Sequence, residues 1–493
     1  MTLRQGIRAG VTWLLVGNAG GQILQFAFGV VLARLLVPAD FGMVVTVQIF
    51  TGFVGLLASG GMGQSLIRAK EASGDDFNTV FTLQMGLGIL IYAGFFLCAP
   101  WIAEYLHNTL YADLVRVSAL NFLLRPFAFI RGSWLSREMQ FKKRALVGLA
   151  GGVVTGVSGV SMAAAGLGVW SLIISGLIGA VISNLLYSFV TPLHLRLHFD
   201  RGAVRRHSSY GAKITTNEFL DYLKEQSVNL ILSKMAGPSF VGLFNKAESL
   251  ARLPNRLITP PTGQTVFRAM SQVQDDLDKT KYMFYRTVSL LMVYICPVLV
   301  GLWWVAEPFI EVVYGPKWVA AAEPMKILIL AMFLRPIRTP CGVVLAAQNR
   351  LSQEMVALTI SVCVTIPACL IGLRWGLVGV AWAFLADGIF VTVYYYVLVY
   401  KTIPTRVADL LAAVAPGMFL SALIAVVLAA IHFFLSDLRP AIPALYLVIM
   451  GFVGLLAYAI ALLFLPVPAL QSEAARWRQA IRSGLSVASR TFS

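Results

Sequence analysis

Long apolar segments recur along the whole chain, separated by short polar connections. A helix needs about 20 predominantly apolar residues to cross the hydrocarbon core of a bilayer, so each segment predicts a transmembrane helix. We place about fourteen such spans near 11–33, 41–66, 79–101, 114–136, 145–166, 168–192, 210–233, 240–267, 284–305, 320–346, 355–373, 376–400, 408–434 and 442–465. The predicted fold class is therefore all-α and integral to a membrane.

Composition agrees with this prediction. The chain is 58% hydrophobic and only 13% charged, whereas soluble domains carry about 25% charged residues. The first apolar segment, 11–33, is too long for the apolar region of a cleavable signal peptide and has no small-residue cleavage site after it. No cleavable signal peptide is expected.

The charge balance predicts an orientation. Lysine and arginine number 39 against 23 acidic residues, a net charge of +16. When the N-terminus is placed in the cytoplasm, most of the basic residues fall in cytoplasmic connections such as "REMQFKKR" (137–144), "RGAVRR" (201–206) and the C-terminal tail. Because cytoplasmic loops are enriched in lysine and arginine, both termini are predicted to be cytoplasmic. The positive charge then reflects membrane orientation, and no nucleic-acid partner is expected.

The five cysteines all lie in apolar segments without the spacing of metal ligands. Cysteines in such surroundings are small buried hydrophobic residues more often than ligands. No metal, cofactor or disulfide is expected.

An internal repeat divides the chain. At positions 200 apart, "LARLLVPADFG" (32–42) matches "LSKMAGPSFVG" (232–242), and "GQSLIR" (63–68) matches "GQTVFR" (263–268). An even number of spans in each repeat gives both repeats the same orientation, related by an axis along the membrane normal. The sequence thus predicts a six-helix lobe over 1–200, a second over 201–402, two additional helices over 403–466 and a cytoplasmic amphipathic tail over 467–493.

The repeat makes the charged stretch 217–235 a membrane helix. A charge at the centre of a lipid-facing helix costs about 2.5–3.5 kcal/mol, so these side chains should face the bundle interior or a hydrated cavity. Glu218, Asp221 and Glu225 fall on one stripe of this helix, and we predict that they exchange protons or a cation during transport. Lys213 and Lys224 lie on an adjacent stripe.

The next span carries Arg252 and Arg256 one helical turn apart, and Glu248 stands four residues before Arg252. One interpretation is a binding surface for an anionic substrate. The other is that the charges neutralise one another inside a packed bundle, for which the i, i+4 spacing is suitable. Burying many ions in a static core is costly, which favours a hydrated pathway.

Four further candidates lie elsewhere. Gln25 and Arg34 in the first repeat stand where Glu225 and Lys234 stand in the second, and they are predicted to contact substrate. Asp387 is the only acid in its span and is a candidate for a coupling proton, although a structural hydrogen bond to a neighbouring helix is an equal alternative. Arg125 lies near a span end, where snorkelling to the interface explains it as well as ligand binding does.

The stretches "LARLLVPADFG", "GMGQSLIR" (61–68) and "FIEVVYGPKWVAAAEPMKILIL" (309–330) carry a family resemblance. The chain resembles the polysaccharide-transporter family of the multidrug/oligosaccharidyl-lipid/polysaccharide exporter superfamily, in the branch of the colanic-acid and teichuronic-acid exporters. The resemblance covers essentially the whole chain. It implies a bacterial inner-membrane flippase that moves an undecaprenyl-pyrophosphate-linked oligosaccharide to the periplasmic leaflet by alternating access. A glycan polymerase and chain-length machinery are the partners that this resemblance suggests.

Two alternatives remain open. One is a cation-coupled drug antiporter of the same superfamily. The other is an integral-membrane glycan polymerase or ligase, which usually needs a sizeable outer loop with acid/base or metal residues. The outer loops here are short, so no enzyme and no catalytic residue is predicted. Basic residues outnumber acids at the in-membrane positions, which suits a pyrophosphate better than a cationic drug. The flippase is favoured.

Overall fold

A computed structural model describes most of the chain. The described residues are 3–59, 62–68, 73–202, 204, 222, 226–273, 275–348, 350–436, 438–464, 471, 475, 478 and 479. They form helices and connections without a strand, which confirms the all-α prediction. The chain divides into two compact units, Met1–Asn245 and Lys246–Ser493.

The first unit is built from consecutive helices joined by short connections. They are α1 (Leu3–Leu35), α2 (Pro38–Ser59), α3 (Met62–Arg68), α4 (Gly74–Tyr105), α5 (Leu110–Ala119), α6 (Asn121–Arg137), α7 (Phe141–Ala164), α8 (Val169–Val190) and α9, described over 226–235. Helix α10 (Pro238–Ala251) begins in this unit and ends in the second.

The second unit continues in the same manner. It contains α11 (Leu253–Gln272), α12 (Leu277–Trp304), α13 (Ala306–Tyr314), a 3-10 helix (Pro316–Ala321), α14 (Ala322–Met332), α15 (Arg335–Ala347), α16 (Leu351–Gly372), a second 3-10 turn (Leu373–Trp375), α17 (Gly376–Tyr400), α18 (Val407–Phe434), α19 (Leu438–Ala441) and α20 (Pro443–Phe464).

Nine helices in the described part of the chain are long and apolar enough to cross a membrane, and ten if the pair Pro316–Met332 and Arg335–Ala347, bent by 43°, counts as one span. Large apolar side chains such as Val448, Phe452 and Leu455 of α20 are exposed, as expected where a helix faces lipid rather than water. The chain is a multi-pass membrane protein. The count of fourteen spans stays a prediction, and so does the division into lobes at residue 200.

Two of the long helices begin with a side-chain cap. Ser73 caps α4, since its hydroxyl accepts a hydrogen bond from the Asp76 amide at 3.2 Å. Asp276 caps α12, because its carboxylate accepts one from the Lys279 amide at 3.0 Å. Such caps satisfy backbone N–H groups that the helix itself leaves unpaired. Both helices therefore begin with a side-chain cap, although Ser73 and Asp276 do not stand 200 positions apart.

Gly42 and Gly242, which occupy positions 200 apart in the sequence, lie where α2 and α10 cross closely. A Cβ atom on Gly42 of α2 would overlap the carbonyl group of Pro238, and a Cβ on Gly242 of α10 would overlap the carbonyl group of Pro38. Only glycine allows backbones to approach this closely. Beside this crossing, the hydroxyls of Thr46 in α2 and Ser233 in α9 are 2.9 Å apart and both side chains are buried. We call this set of residues the glycine crossing.

The two predicted additional helices are joined by ion pairs at both ends to earlier helices of the second unit. At one end, Lys281 and Asp409 form an ion pair of 2.6 Å, and at the other Glu307 and Arg439 form one of 2.5 Å. Between these ends, Gly417 of α18 lies against α12, where an added Cβ would come within 2.6 Å of Met292. α18 is thus packed closely along α12.

Candidate functional site

The predicted site residues divide into two groups. The structure describes Gln25, Arg34, Arg252, Arg256 and Asp387. The remaining ones lie outside the described residues; they are Lys213, Glu218, Asp221, Lys224 and Glu225.

Arg252 lies at a break between two helices. α10 ends at Ala251 and α11 begins at Leu253, with Pro254 in its first turn. Proline has no backbone N–H and cannot donate the hydrogen bond that would continue the helix at that position. The backbone nevertheless keeps helical spacing across the break, since the amide of Arg252 donates to the Glu248 carbonyl at 2.9 Å and the amide of Arg256 donates to the Arg252 carbonyl at 3.0 Å.

Arg252 forms an ion pair with Glu248. The guanidinium Nη2 is 2.5 Å from the carboxylate Oε1, and the two residues are only 9% and 8% exposed. The guanidinium also lies 5.9 Å from the centre of the Phe384 ring. Internal pairing, one of the two interpretations that the sequence left open, therefore occurs at Arg252 in this structure. A buried pair of this kind is strongly sensitive to loss of one member.

Arg256, one turn further along, is exposed. Its i, i+4 relation to Arg252 places the two on one side of the helix. Their surroundings differ, because one guanidinium is held by a carboxylate inside the protein while the other is accessible. The two arginines are consequently unequal partners for any ligand.

Gln25 and Arg34 both belong to α1, and both are exposed. Arg34 stands in the last turn of its helix, where a positive charge is favourable beside the negative end of the helix dipole. A substrate site that these two residues share with Arg252 or Asp387 stays a prediction.

Asp387 of α17 is buried, 5% exposed, and its Oδ1 accepts a hydrogen bond of 2.8 Å from the hydroxyl of Ser361 in α16. This is the structural hydrogen bond that the sequence offered as the alternative to proton coupling. The bond joins two adjacent helices and occupies one carboxylate oxygen.

One cavity in the first unit was missed by sequence reasoning. It has a volume of about 450 Å³ and is lined by residues of α6 and α8, by Ile67 of α3 and by the start of α7, among them Arg125, Arg144, Asn184 and Tyr187. Arg125 was noticed only as a residue near a span end. The repeat gave no indication of the cavity, because its polar residues come from separate helices and form no periodic stripe.

Metal binding has no visible basis in the described residues, where no three His, Cys, Asp or Glu side chains converge as ligands would. The site residues above are instead amides, guanidinium groups and carboxylates, which bind by hydrogen bonding and charge.

The chain is similar to proteins of polysaccharide biosynthesis. The family described as "Polysaccharide biosynthesis protein" matches residues 31–323. The lipopolysaccharide biosynthesis protein WzxC of Escherichia coli K12 is 26% identical over 417 residues, 82% of each chain. The succinoglycan biosynthesis transport protein ExoT of Rhizobium meliloti is 24% identical over 332 residues, 67% of each chain.

Solved structures show the same fold. The lipid II flippase MurJ in an inward closed conformation has a TM-score of 0.70 at 16% identity, covering 91% of this chain and 97% of its own. An inward-facing multidrug transporter of the MATE family has a TM-score of 0.61 at 13% identity, covering 78% and 95%. At such identities the likeness concerns the fold, which both transporters share.

The predicted resemblance is confirmed, and the prediction of a transport protein rather than an enzyme agrees with the names of these relatives. The family match extends over more than half of the sequence, from the end of α1 to the beginning of α14. This chain belongs to the polysaccharide biosynthesis protein family of multi-pass membrane proteins.

Proposed function

We propose that the protein is a flippase that moves an undecaprenyl-pyrophosphate-linked oligosaccharide from the cytoplasmic to the periplasmic leaflet of a bacterial inner membrane by alternating access. The observation that carries this proposal is the family match over 31–323. The name of the relative ExoT, a succinoglycan biosynthesis transport protein, supports transport of a saccharide.

Charge supports an anionic cargo over a cationic drug. The fold alone does not distinguish the two, since a lipid II flippase and a multidrug transporter share it. A pyrophosphate group favours guanidinium partners, which match its oxygens with paired donors. We assign the substrate-binding role to the predicted set Gln25, Arg34, Lys213, Lys224, Arg252 and Arg256.

Energy coupling is assigned to acidic residues. Glu218, Asp221, Glu225 and Asp387 are the proposed carriers of a proton or cation. Carboxylates inside a membrane protein are costly unless they have a partner or a role, so each is a functional candidate. Asp387 has Ser361 as a hydrogen-bond partner. If Asp387 carries the coupling proton, this bond must break or persist while the carboxylate is protonated.

Topology completes the proposal. Both termini lie in the cytoplasm, the lipid tail of the substrate stays in the bilayer, and the anionic head crosses through the protein. A glycan polymerase and chain-length machinery would receive the product on the periplasmic side.

Reconstitution tests this function directly. The purified full chain is placed in liposomes with a fluorescent polyprenyl-pyrophosphate oligosaccharide, and a membrane-impermeant quencher reports how much of the lipid reaches the opposite leaflet. Liposomes without protein and liposomes tested with a fluorescent organic cation serve as controls. Transfer of the glycolipid without elongation of its glycan is expected. Transfer of the cation alone would favour the drug antiporter, and elongation would favour an enzyme.

A further inference from the structure

The cavity of the first unit brings two arginines together. Arg125 comes from the first half of α6 and Arg144 from the first turn of α7, and both line the same space of about 450 Å³. Pockets for small ligands commonly measure about 300–1,000 Å³. The space is therefore large enough for a phosphate or sugar group.

Each guanidinium is positioned by the protein. Arg125 Nη1 donates to the Gly55 carbonyl at 3.1 Å, and the guanidinium carbon lies 5.9 Å from the centre of the Phe129 ring. Arg144 Nη1 donates to the Ser136 hydroxyl at 2.6 Å, and the Arg144 side chain also hydrogen-bonds the Tyr187 phenol. A guanidinium has five N–H donors, and each of these hydrogen bonds uses one. Both groups thus keep the capacity to bind oxygen atoms of a ligand.

The rest of the lining suits an oxygen-rich anion. Ser183, Asn184 and Tyr187 of α8 supply a hydroxyl, an amide and a phenol, and the lining residues include no aspartate or glutamate. The Asn184 amide is oriented by the Leu124 carbonyl, to which its Nδ2 donates at 3.0 Å. Two positive charges without an acidic neighbour in the lining attract an anion, and the hydroxyl and amide groups match phosphate oxygens or sugar hydroxyls.

We infer that this cavity, which we call the arginine cavity, binds an anionic oxygen-rich group of the transported glycolipid, held by Arg125 and Arg144. The inference rests on the proposed function for the source of that group. In the predicted orientation Arg144 belongs to the cytoplasmic segment 137–144, so the cavity would receive the head of the substrate from the leaflet where the glycolipid is made. The group is either the pyrophosphate itself or an acidic sugar of the glycan.

Binding by the purified full chain in phosphatidylcholine nanodiscs tests the inference. Inorganic pyrophosphate and glucuronate are titrated separately at constant ionic strength, and the midpoint of thermal unfolding is recorded. At least one anion should raise the midpoint in a saturable manner. Pyrophosphate would identify the lipid diphosphate as the ligand, and glucuronate would identify an acidic sugar.

Variants make the assignment specific. R144Q and R125Q should each weaken binding of the effective anion by tenfold or more, and R144K should weaken it less because it keeps the charge. R116Q is the matched control: Arg116 is an arginine of the same unit that pairs with Asp113 at 3.8 Å and does not line the cavity. Arg125 also hydrogen-bonds the Gly55 carbonyl, so R125Q could fail to fold for that reason. In that case the result for R144Q alone tests the assignment.

Two results would overturn the inference: no saturable effect of either anion on the unmodified protein, or equal binding by R144Q and R116Q. The flipping assay distinguishes anion binding at the arginine cavity from the proposed flippase activity. Flipping that survives in R144Q while anion binding is lost would remove the cavity from the transport path and leave the flippase intact. Anion binding without any flipping by the unmodified protein would overturn only the proposed function.

Discussion

At the scale of single residues, Arg252 is both a candidate ligand and half of a buried ion pair. Removing one member of such a pair commonly costs about 3–5 kcal/mol, because the other charge is left buried without compensation. We therefore expect Arg252→Ala to lower the thermal stability of the purified protein as well as flipping. Loss of activity in this variant alone would not identify a substrate contact.

A double variant separates the two roles. Glu248→Gln with Arg252→Met replaces both charges by neutral side chains of similar size, which is often neutral or stabilising for a buried pair. We expect thermal stability to return towards that of the unmodified protein while flipping stays low. If the double variant flips glycolipid at the normal rate, Arg252 serves only the ion pair with Glu248.

Arg256 permits a cleaner experiment because its side chain is exposed. Substitution of an exposed side chain usually changes stability by less than about 0.5 kcal/mol. Arg256→Ala should therefore leave the unfolding midpoint unchanged and sharply reduce flipping, and Arg256→Lys should restore it only in part. Flipping at the normal rate by Arg256→Ala would remove this residue from the substrate-binding set.

The acidic candidates predict a dependence on pH. Asp387→Asn keeps an oxygen that can accept the hydrogen bond from Ser361 but cannot carry a proton, so the fold should persist. If Asp387 couples transport to protons, the rate of flipping by this variant should lose its dependence on pH. The same measurement applies to neutral variants of Glu218, Asp221 and Glu225. Unchanged rates and pH profiles in all four would make these carboxylates structural.

At the scale of elements, the glycine crossing fixes how closely α2 approaches α10. Gly42→Ala and Gly242→Ala each add a Cβ where the other helix already has a carbonyl group. Overpacking of this kind costs about 1–3 kcal/mol, and both variants should unfold at lower temperature. Gly29→Ala in α1 is the matched control, since a Cβ there meets nothing within 4 Å, and it should be neutral or slightly stabilising. Equal midpoints for the three variants would contradict this prediction.

Some features of the structure could be predicted from the sequence, and others could not. The all-α membrane fold was predictable because apolar length determines it. The repeat, read from the recurrence of Pro38 and Gly42 as Pro238 and Gly242, stays a prediction as a division into lobes. The Glu248–Arg252 pair was foreseeable from i, i+4 spacing. The meeting of Arg125 with Arg144 was not, because it depends on how separate helices pack, which no periodicity in one helix records.

At the scale of the whole molecule, alternating access requires that some contact between helices breaks in every cycle. The Thr46–Ser233 hydrogen bond at the glycine crossing is a candidate, with its two oxygens 2.9 Å apart. Replacing both residues by cysteine should allow a disulfide under oxidation. We expect oxidation to stop flipping and reduction to restore it, while the two single-cysteine variants stay active under both conditions. Full activity of the oxidised double variant would mean that this contact stays closed throughout the cycle.

The glycine crossing also bears on the origin of the chain. Gly42 lies against Pro238, and Gly242 lies against Pro38. Equivalent residues of the two sequence repeats therefore contact each other in the same way. Self-complementary contact of this sort is the isologous interface of a two-fold symmetric homodimer. Duplication of a gene for such a dimer would yield this arrangement in one polypeptide, and a chain divided in the connection between the repeats would be expected to reassemble from two co-expressed fragments.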